Sequence, residues 1–340
     1  MKPPILRLAA SDLANSTTGQ TVVEFGPAAD FERLFGARNS LQNKFMSTLQ
    51  LFSICVLIWG STWIAITFQL GSVAPEMSVG YRFLLASAVL FAYCRWRGLS
   101  LSFRLKQHGD LAMLGASMFC ASYLFVYYAE TFIVSGMVAV GYSASPMINM
   151  LASRLFFGTR MTARIAIAAL FGVVGIVCVF WPEFGKLSVS RNATLGAILT
   201  VLSVLASSAG SMVATRNQKL GYVTWSSLAW GMFYGGLLAL IIGLAMGQRL
   251  TFLFSTGYML SLVYLSILGS IVTFGCYLTL LERIGPTRAA YIGVMVPILA
   301  LVISFFFEKF AWGWLTTTGV VLSVVGNILM LRPPKSQSYA

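Results

Sequence analysis

From residue 49 onward the chain is a run of apolar blocks of roughly 20 residues, divided by a few polar residues, glycines or prolines. At about 1.5 Å of helical rise per residue, such a block crosses a hydrocarbon core about 30 Å thick. No water in that core satisfies backbone N–H and C=O groups, so each block has to close its own hydrogen bonds, and only a helix does this in an open chain. The period-two alternation of a membrane β-barrel strand is absent. The pattern therefore predicts ten transmembrane helices, at 49–69, 76–96, 109–130, 135–157, 162–182, 193–214, 223–247, 256–281, 285–307 and 312–331. Breakers at Ala74-Pro75, Trp181-Pro182 and Gly285-Pro286 mark some of the connections. Because the links are short, neighbouring helices run antiparallel. The segment before residue 49 is polar, of mixed charge and without an apolar run, which fits no signal peptide. Its acidic Asp12, Glu24, Asp30 and Glu32 also argue against a transit peptide. The expected organisation is a disordered cytoplasmic tail over 1–48, a first five-helix repeat over 49–182 and a second over 193–333, with Met46 a candidate for the true start.

Composition removes the soluble alternatives. Hydrophobic residues make up 58% of the 340 and charged residues 10%, against about 25% charged in a soluble domain; the mean hydropathy is +0.81. The five cysteines, Cys55, Cys94, Cys120, Cys178 and Cys276, all fall inside apolar blocks with no metal-binding spacing, so no metal and no disulfide framework is expected. The net charge of +13 raises the question of nucleic acid, but the basic residues are scattered over short loops and form no recognition motif. They report topology instead. With the N-terminus inside, 18 Lys and Arg fall on the cytoplasmic side and 4 outside, leaving Arg82 within a span. Positive residues stay inside, so both termini are expected in the cytoplasm.

The chain also repeats itself. Pro146, Gly175 and Pro182 recur 151 residues later as Pro297, Gly326 and Pro333; Gly60-Ser61 recurs as Gly210-Ser211 and Glu130 as Glu282 at nearly the same offset. Five helices per copy is an odd number, so the second copy enters from the opposite face. The fold class is thus an all-α membrane protein built as two inverted five-helix repeats, an architecture of secondary transporters. Pro146 and Pro297 fall near the middle of the fourth and ninth spans, where a proline frees a carbonyl. Paired interruptions of this kind point to a binding site near the midplane; packing kinks are the alternative.

Several of these residues resemble a known family. Trp59-Gly60-Ser61-Thr62-Trp63, Pro75 followed by Arg82, two halves each ending in proline, and Glu282 through Pro297 to Phe307-Glu308 are similar to EamA-type members of the drug/metabolite transporter superfamily. The resemblance spans roughly 49–333. It implies a ten-helix carrier with a central cavity, in a family whose members export amino acids, other metabolites or toxic compounds. One departure stands out: Phe157-Gly158 occupy the place where the family often has an acidic residue matching Glu308.

Candidate substrate contacts follow from what is costly or unusual at depth. Arg82 is a cation inside a span and a functional candidate on that ground; its guanidinium suits a substrate carboxylate, while a bond to freed carbonyls or snorkelling to the interface stays open. Trp59 and Trp63 sit near mid-depth rather than at the interface that tryptophan prefers, and with Thr62 they suit a cavity wall. Tyr123, Tyr142 and Asn149 in the third and fourth spans, Ser211 in the sixth, and Tyr277 and Tyr291 in the eighth and ninth complete the set, although neighbouring helices can also satisfy such groups. Tyr127 and Tyr128 read as ordinary interface aromatics. No Asp or Glu lies at mid-span; Glu130, Glu282 and Glu308 are at helix ends and His108 in an inner loop. Facilitated diffusion or exchange is then expected at least as readily as proton coupling, and no Walker motif supplies ATP.

The expected function is a secondary carrier that exports a small amphipathic metabolite, such as an amino acid, across a bacterial inner membrane by alternating access. A nucleotide-sugar or other phosphorylated-metabolite exchanger is the nearest alternative, although Arg82 alone is little for a diphosphate; a channel is the alternative of another class. An intramembrane enzyme lacks its acids, histidine pair or metal site. No cofactor and no nucleic acid is expected. The partners are the small-molecule substrate and the lipid bilayer, with the chain a monomer or homodimer.

Overall fold

A computed structural model of the chain describes residues 46–158, 191–277, 292–309 and 312–331, with 167, 170–172, 174–175, 177–179, 181, 279–280 and 283. The tail, Tyr291, Glu282, Pro182 and Pro333 of the sequence reading lie outside the described residues. Among those described there is no strand. The helices are α1 (Thr48–Thr67), α2 (Pro75–Trp96), α3 (Leu105–Glu130), α4 in two segments (Ser135–Tyr142 and Ser145–Phe157), α5 (Leu170–Val179), α6 (Arg191–Lys219), α7 (Thr224–Ala245), α8 (Thr256–Tyr277), α9 (Ile292–Phe307) and α10 (Trp314–Leu331). Of these, α1, α2, α3, α6, α7 and α8 are each long and apolar enough to cross a membrane alone. The fold is the all-helical, two-repeat membrane architecture that the block pattern predicts. Large apolar side chains such as Leu155, Leu170, Ile241 and Phe306 point away from the protein, where lipid covers them.

The packing exchanges helices between the halves. Helix α1 lies on α9 as α6 lies on α4, α3 lies on α7 as α8 lies on α2, and α2 and α7 pair with each other at the centre. Small residues let these backbones approach, as expected where lipid and side chains are equally apolar. A methyl on Gly235 would sit 2.7 Å from the Gly115 carbonyl, and one on Gly236 3.1 Å from that of Gly80. The repeated Gly60 and Gly210 serve the same end, the first against Leu299 of α9 and the second against Met118 of α3.

Helices α3 and α8 correspond in the repeat, and both widen into a π turn, over Gly115–Ala121 and Tyr264–Val272. The matched prolines differ more than expected. Pro297 lies inside α9, but α4 breaks earlier, at Ser143-Ala144, where the backbone closes three-residue turns from Ser143 N–H to Val140 O and from Ala144 N–H to Gly141 O. Pro146 then stands in the first turn of the second segment, the position where a missing N–H costs least. The single kinked helix expected over 135–157 is corrected to two segments. Helix α6 also continues to Lys219, past its expected end at 214.

Candidate functional site

Between the halves lies a cavity of about 480 Å³, within the range of small-molecule sites. Its walls come from α1, α2, α3, α4, α6, α8 and α9. Most of the candidates meet there: Trp59, Thr62, Trp63, Arg82, Tyr123 and Tyr142 line it, as do Asn149 and Tyr277 and both prolines, Pro146 and Pro297. Ser211 does not. It lies a turn further along α6, its hydroxyl donating to the Ser207 carbonyl at 3.0 Å, and Ser207 is the residue that lines the cavity.

The walls are aromatic and largely satisfied among themselves. Trp59 donates its indole N–H to the Gly269 carbonyl at 3.1 Å and packs edge-on to Phe274 at 5.5 Å. Trp63 lies 5.1 Å from the Tyr142 ring. The Tyr142 hydroxyl shares a hydrogen bond of 2.8 Å with Ser122 Oγ. Thr62 donates to its own helix, at the Trp59 carbonyl. Such wall groups, already paired, present ring faces and edges to whatever fills the cavity.

The exceptions are more telling. Arg82 is 2% exposed, its guanidinium carbon 4.6 Å over the Tyr123 ring and 5.1 Å over Phe83. Those rings hold a cation in place but accept no conventional hydrogen bond. Neither Nε–H nor Nη1 of Arg82 has an acceptor, and among the described residues no carboxylate pairs with it. Snorkelling is therefore not its solution. At the other end of the cavity, Ser145 Oγ and Asn149 Oδ1, one helical turn apart on α4, are buried without a partner. Pro297, inside α9, leaves the carbonyl of Gly293 without its helical donor, and Gly293 also lines the cavity. The arrangement joins one buried cation, an apolar aromatic middle and a group of neutral hydrogen-bonding atoms.

The upper part of α3 corrects the sequence reading. Tyr127 is fully buried and donates to Gln69 Oε1 at 2.8 Å, so it is no interface residue; Tyr128 donates to Glu76 Oε1. Glu76 and Glu130, both near helix ends, are 0% and 8% exposed. Position along the sequence put Glu130 at a helix end, yet both acids are buried, Glu76 against Gly243 of α7. The cavity also contains Met118, Phe119, Ser122 and Phe274, which the sequence reading missed. A signal existed: Phe119, Tyr123, Val126 and Glu130 recur at helical spacing on one face.

Comparison with known proteins fits this picture. The model of the EamA-like transporter family matches residues 46–181 and again 194–332. The inner membrane transporter YedA of Escherichia coli is 29% identical over 76% of this chain and 83% of its own. PagO of Salmonella typhimurium is 20% identical over 82% of this chain and 90% of its own. An Escherichia coli protein named "Probable amino-acid metabolite efflux pump" is 26% identical over 73% of this chain and 82% of its own. A crystal structure of a protein 16% identical superposes with a TM-score of 0.62, covering 82% of this chain and 94% of that one; at that identity the likeness concerns the fold.

Proposed function

The chain belongs to the EamA-like transporter family, and we propose that it is a secondary carrier which exports a small amphipathic carboxylate, such as an amino acid, by alternating access. The observation that carries this reading is Arg82, a buried guanidinium with open N–H groups at the wall of an aromatic cavity. A lone cation at that depth is costly unless something anionic completes it, and a carboxylate matches its fork. The apolar middle accepts a side chain, and Asn149 Oδ1 and Ser145 Oγ accept hydrogen bonds from an ammonium or hydroxyl. The relative named for amino-acid metabolite efflux supports the same substrate class.

We place the carrier in a bacterial inner membrane with both termini cytoplasmic, on the charge count and on the kinship with YedA. The two halves, 49–182 and 193–333, move against each other about the cavity, and the substrate leaves chemically unchanged. A nucleotide-sugar exchanger is less well supported, because among the described residues one guanidinium lines the cavity where a diphosphate calls for several cations. The test is counterflow in proteoliposomes loaded with phenylalanine, tryptophan or leucine. Saturable, trans-stimulated uptake is expected. Flux that rises linearly without trans-stimulation would support a channel, and no movement of any amino acid or aromatic carboxylate would defeat the proposal.

A further inference from the structure

Above the cavity, on the side where α3 ends and α4 begins, the two halves are sealed by a carboxylate. Glu308, just past α9, accepts hydrogen bonds from Ser135 N–H (3.1 Å) and Ser135 Oγ (2.5 Å) on α4, and from Ser304 Oγ (2.6 Å) on its own helix. Gly136 lets α4 and α9 close tightly there: a methyl on it would lie 3.0 Å from Leu301 Cα and 2.8 Å from Ser304 Cβ. Glu130, at the end of α3, is within electrostatic range of Glu308. Unlike Glu308 it is bare. It is 8% exposed and neither carboxyl oxygen has a hydrogen-bond partner.

Glu130 continues the face of α3 that lines the cavity. It follows Val126 by one turn, about 6 Å along the axis, and Val126 and Tyr123 are cavity residues. Arg82, whose guanidinium lies over Tyr123, is within electrostatic range of Glu130 but forms no ion pair with it. A buried acid and a buried base thus stand near each other, each with unused hydrogen-bonding atoms. Among the described residues, the other titratable groups coupled to Glu130 are Tyr127 on α3 and Tyr142 on α4. At this level α6 presents Gly196 to Ile133 and Thr200 to Gly141, neither of them titratable.

When two carboxyl groups share a buried site, they do not both ionise freely, and donors favour the charge on the group they touch. Three donors touch Glu308 and none touches Glu130, so nothing in the protein holds a charge on Glu130 as those donors would on Glu308. We propose that Glu130 is a proton site linked to Arg82, so that a carboxylate substrate and a proton occupy the carrier together. With Glu130 neutral, Arg82 is an unpaired cation ready for the substrate. When the O–H bond of Glu130 breaks and the proton passes to water, the new carboxylate neutralises Arg82 and competes with the substrate for it. Linkage is reciprocal: the bound carboxylate strengthens the hold of Glu130 on its proton. This rests on the carrier reading above and adds the coupling ion to it. Export then runs on the substrate's own gradient, with a proton leaving alongside.

The experiment has two arms. Phenylalanine binding to the purified full-length protein is followed by tryptophan fluorescence from about pH 5 to about pH 8, with proton uptake measured in weak buffer. Binding is expected to be about tenfold tighter at the acid end and to draw protons from solution. Glu130→Gln is expected to bind tightly at all pH values without proton uptake. Infrared spectra of the protein in nanodiscs need no ligand: a protonated-carboxyl C=O band is expected in the wild type and is lost in Glu130→Gln. If Glu130→Gln does not fold, Glu130→Asp keeps the band and shifts it. Unaltered pH dependence in Glu130→Gln, proton release on binding, or a band that neither variant changes would each overturn the proposal. Failure of the carrier reading looks different, because no amino acid moves while the carboxyl band still answers to residue 130.

Discussion

Arg82 was legible in the sequence because an apolar block has no inexpensive use for a guanidinium. The structure adds what the sequence could not: its Nε–H and Nη1 have no protein acceptor, and the rings of Phe83 and Tyr123 lie against its guanidinium. Arg82→Ala removes charge-assisted hydrogen bonds of about 1.5–3 kcal/mol, so the half-saturation concentration for phenylalanine counterflow should rise roughly 10- to 100-fold. Arg82→Lys keeps the charge without the planar fork and should recover part of that loss. Trp63→Ala should weaken binding of aromatic amino acids by about 1 kcal/mol and leave alanine, which does not reach the ring, nearly unaffected; competition assays separate the two. Glu130 shows the limit of such reading. Counting residues from a helix end gives depth relative to lipid, but burial at that depth is decided by neighbouring helices, and Glu130 is 8% exposed.

The helices themselves were largely written in the apolar blocks, since crossing length is set by the bilayer rather than by packing. What the blocks could not show is how a span is interrupted inside. Helix α4 breaks at Ser143-Ala144, ahead of its proline, because the local turn is set by hydrogen-bond geometry that hydropathy does not record. Helix-to-helix spacing is likewise a matter of single atoms. A Cβ on Gly115 would lie 2.5 Å from the Gly231 carbonyl and 2.7 Å from Gly235 N, both backbone atoms that cannot swing aside. Gly115→Val should therefore push α3 from α7 and cost about 1–3 kcal/mol, read as a lower midpoint in a detergent thermal-shift assay. Gly109→Ala, on the same helix with nothing near its Cβ, should be neutral or slightly stabilising. Equal effects of the two would show that the close approach is not what holds these helices.

At the scale of the molecule, α4 packs closely against α9 at Gly136 and Ser304, and the alternating access proposed above requires that contact to part. A bridge between Gly136→Cys and Ser304→Cys, in a background without the native cysteines, tests this. Their Cβ atoms would start 2.8 Å apart, short of the roughly 3.8 Å of a relaxed disulfide, so a small retreat of α4 accommodates the bond. Oxidation should stop counterflow and reduction restore it, with the reduced double variant as the reference. Undiminished counterflow in the oxidised protein would mean that the seal is not a moving part.

The two π turns, in α3 and α8, carry a last implication. A π turn is an α-helix with one residue too many, and it survives where something keeps it. Here both copies have one, in corresponding helices and at nearly the same distance from the start of each copy. The simplest history places that insertion before the duplication. A single five-helix copy carrying the wide turn would then have needed a second copy of itself, in the opposite orientation, to make the contacts that the two halves make with each other here.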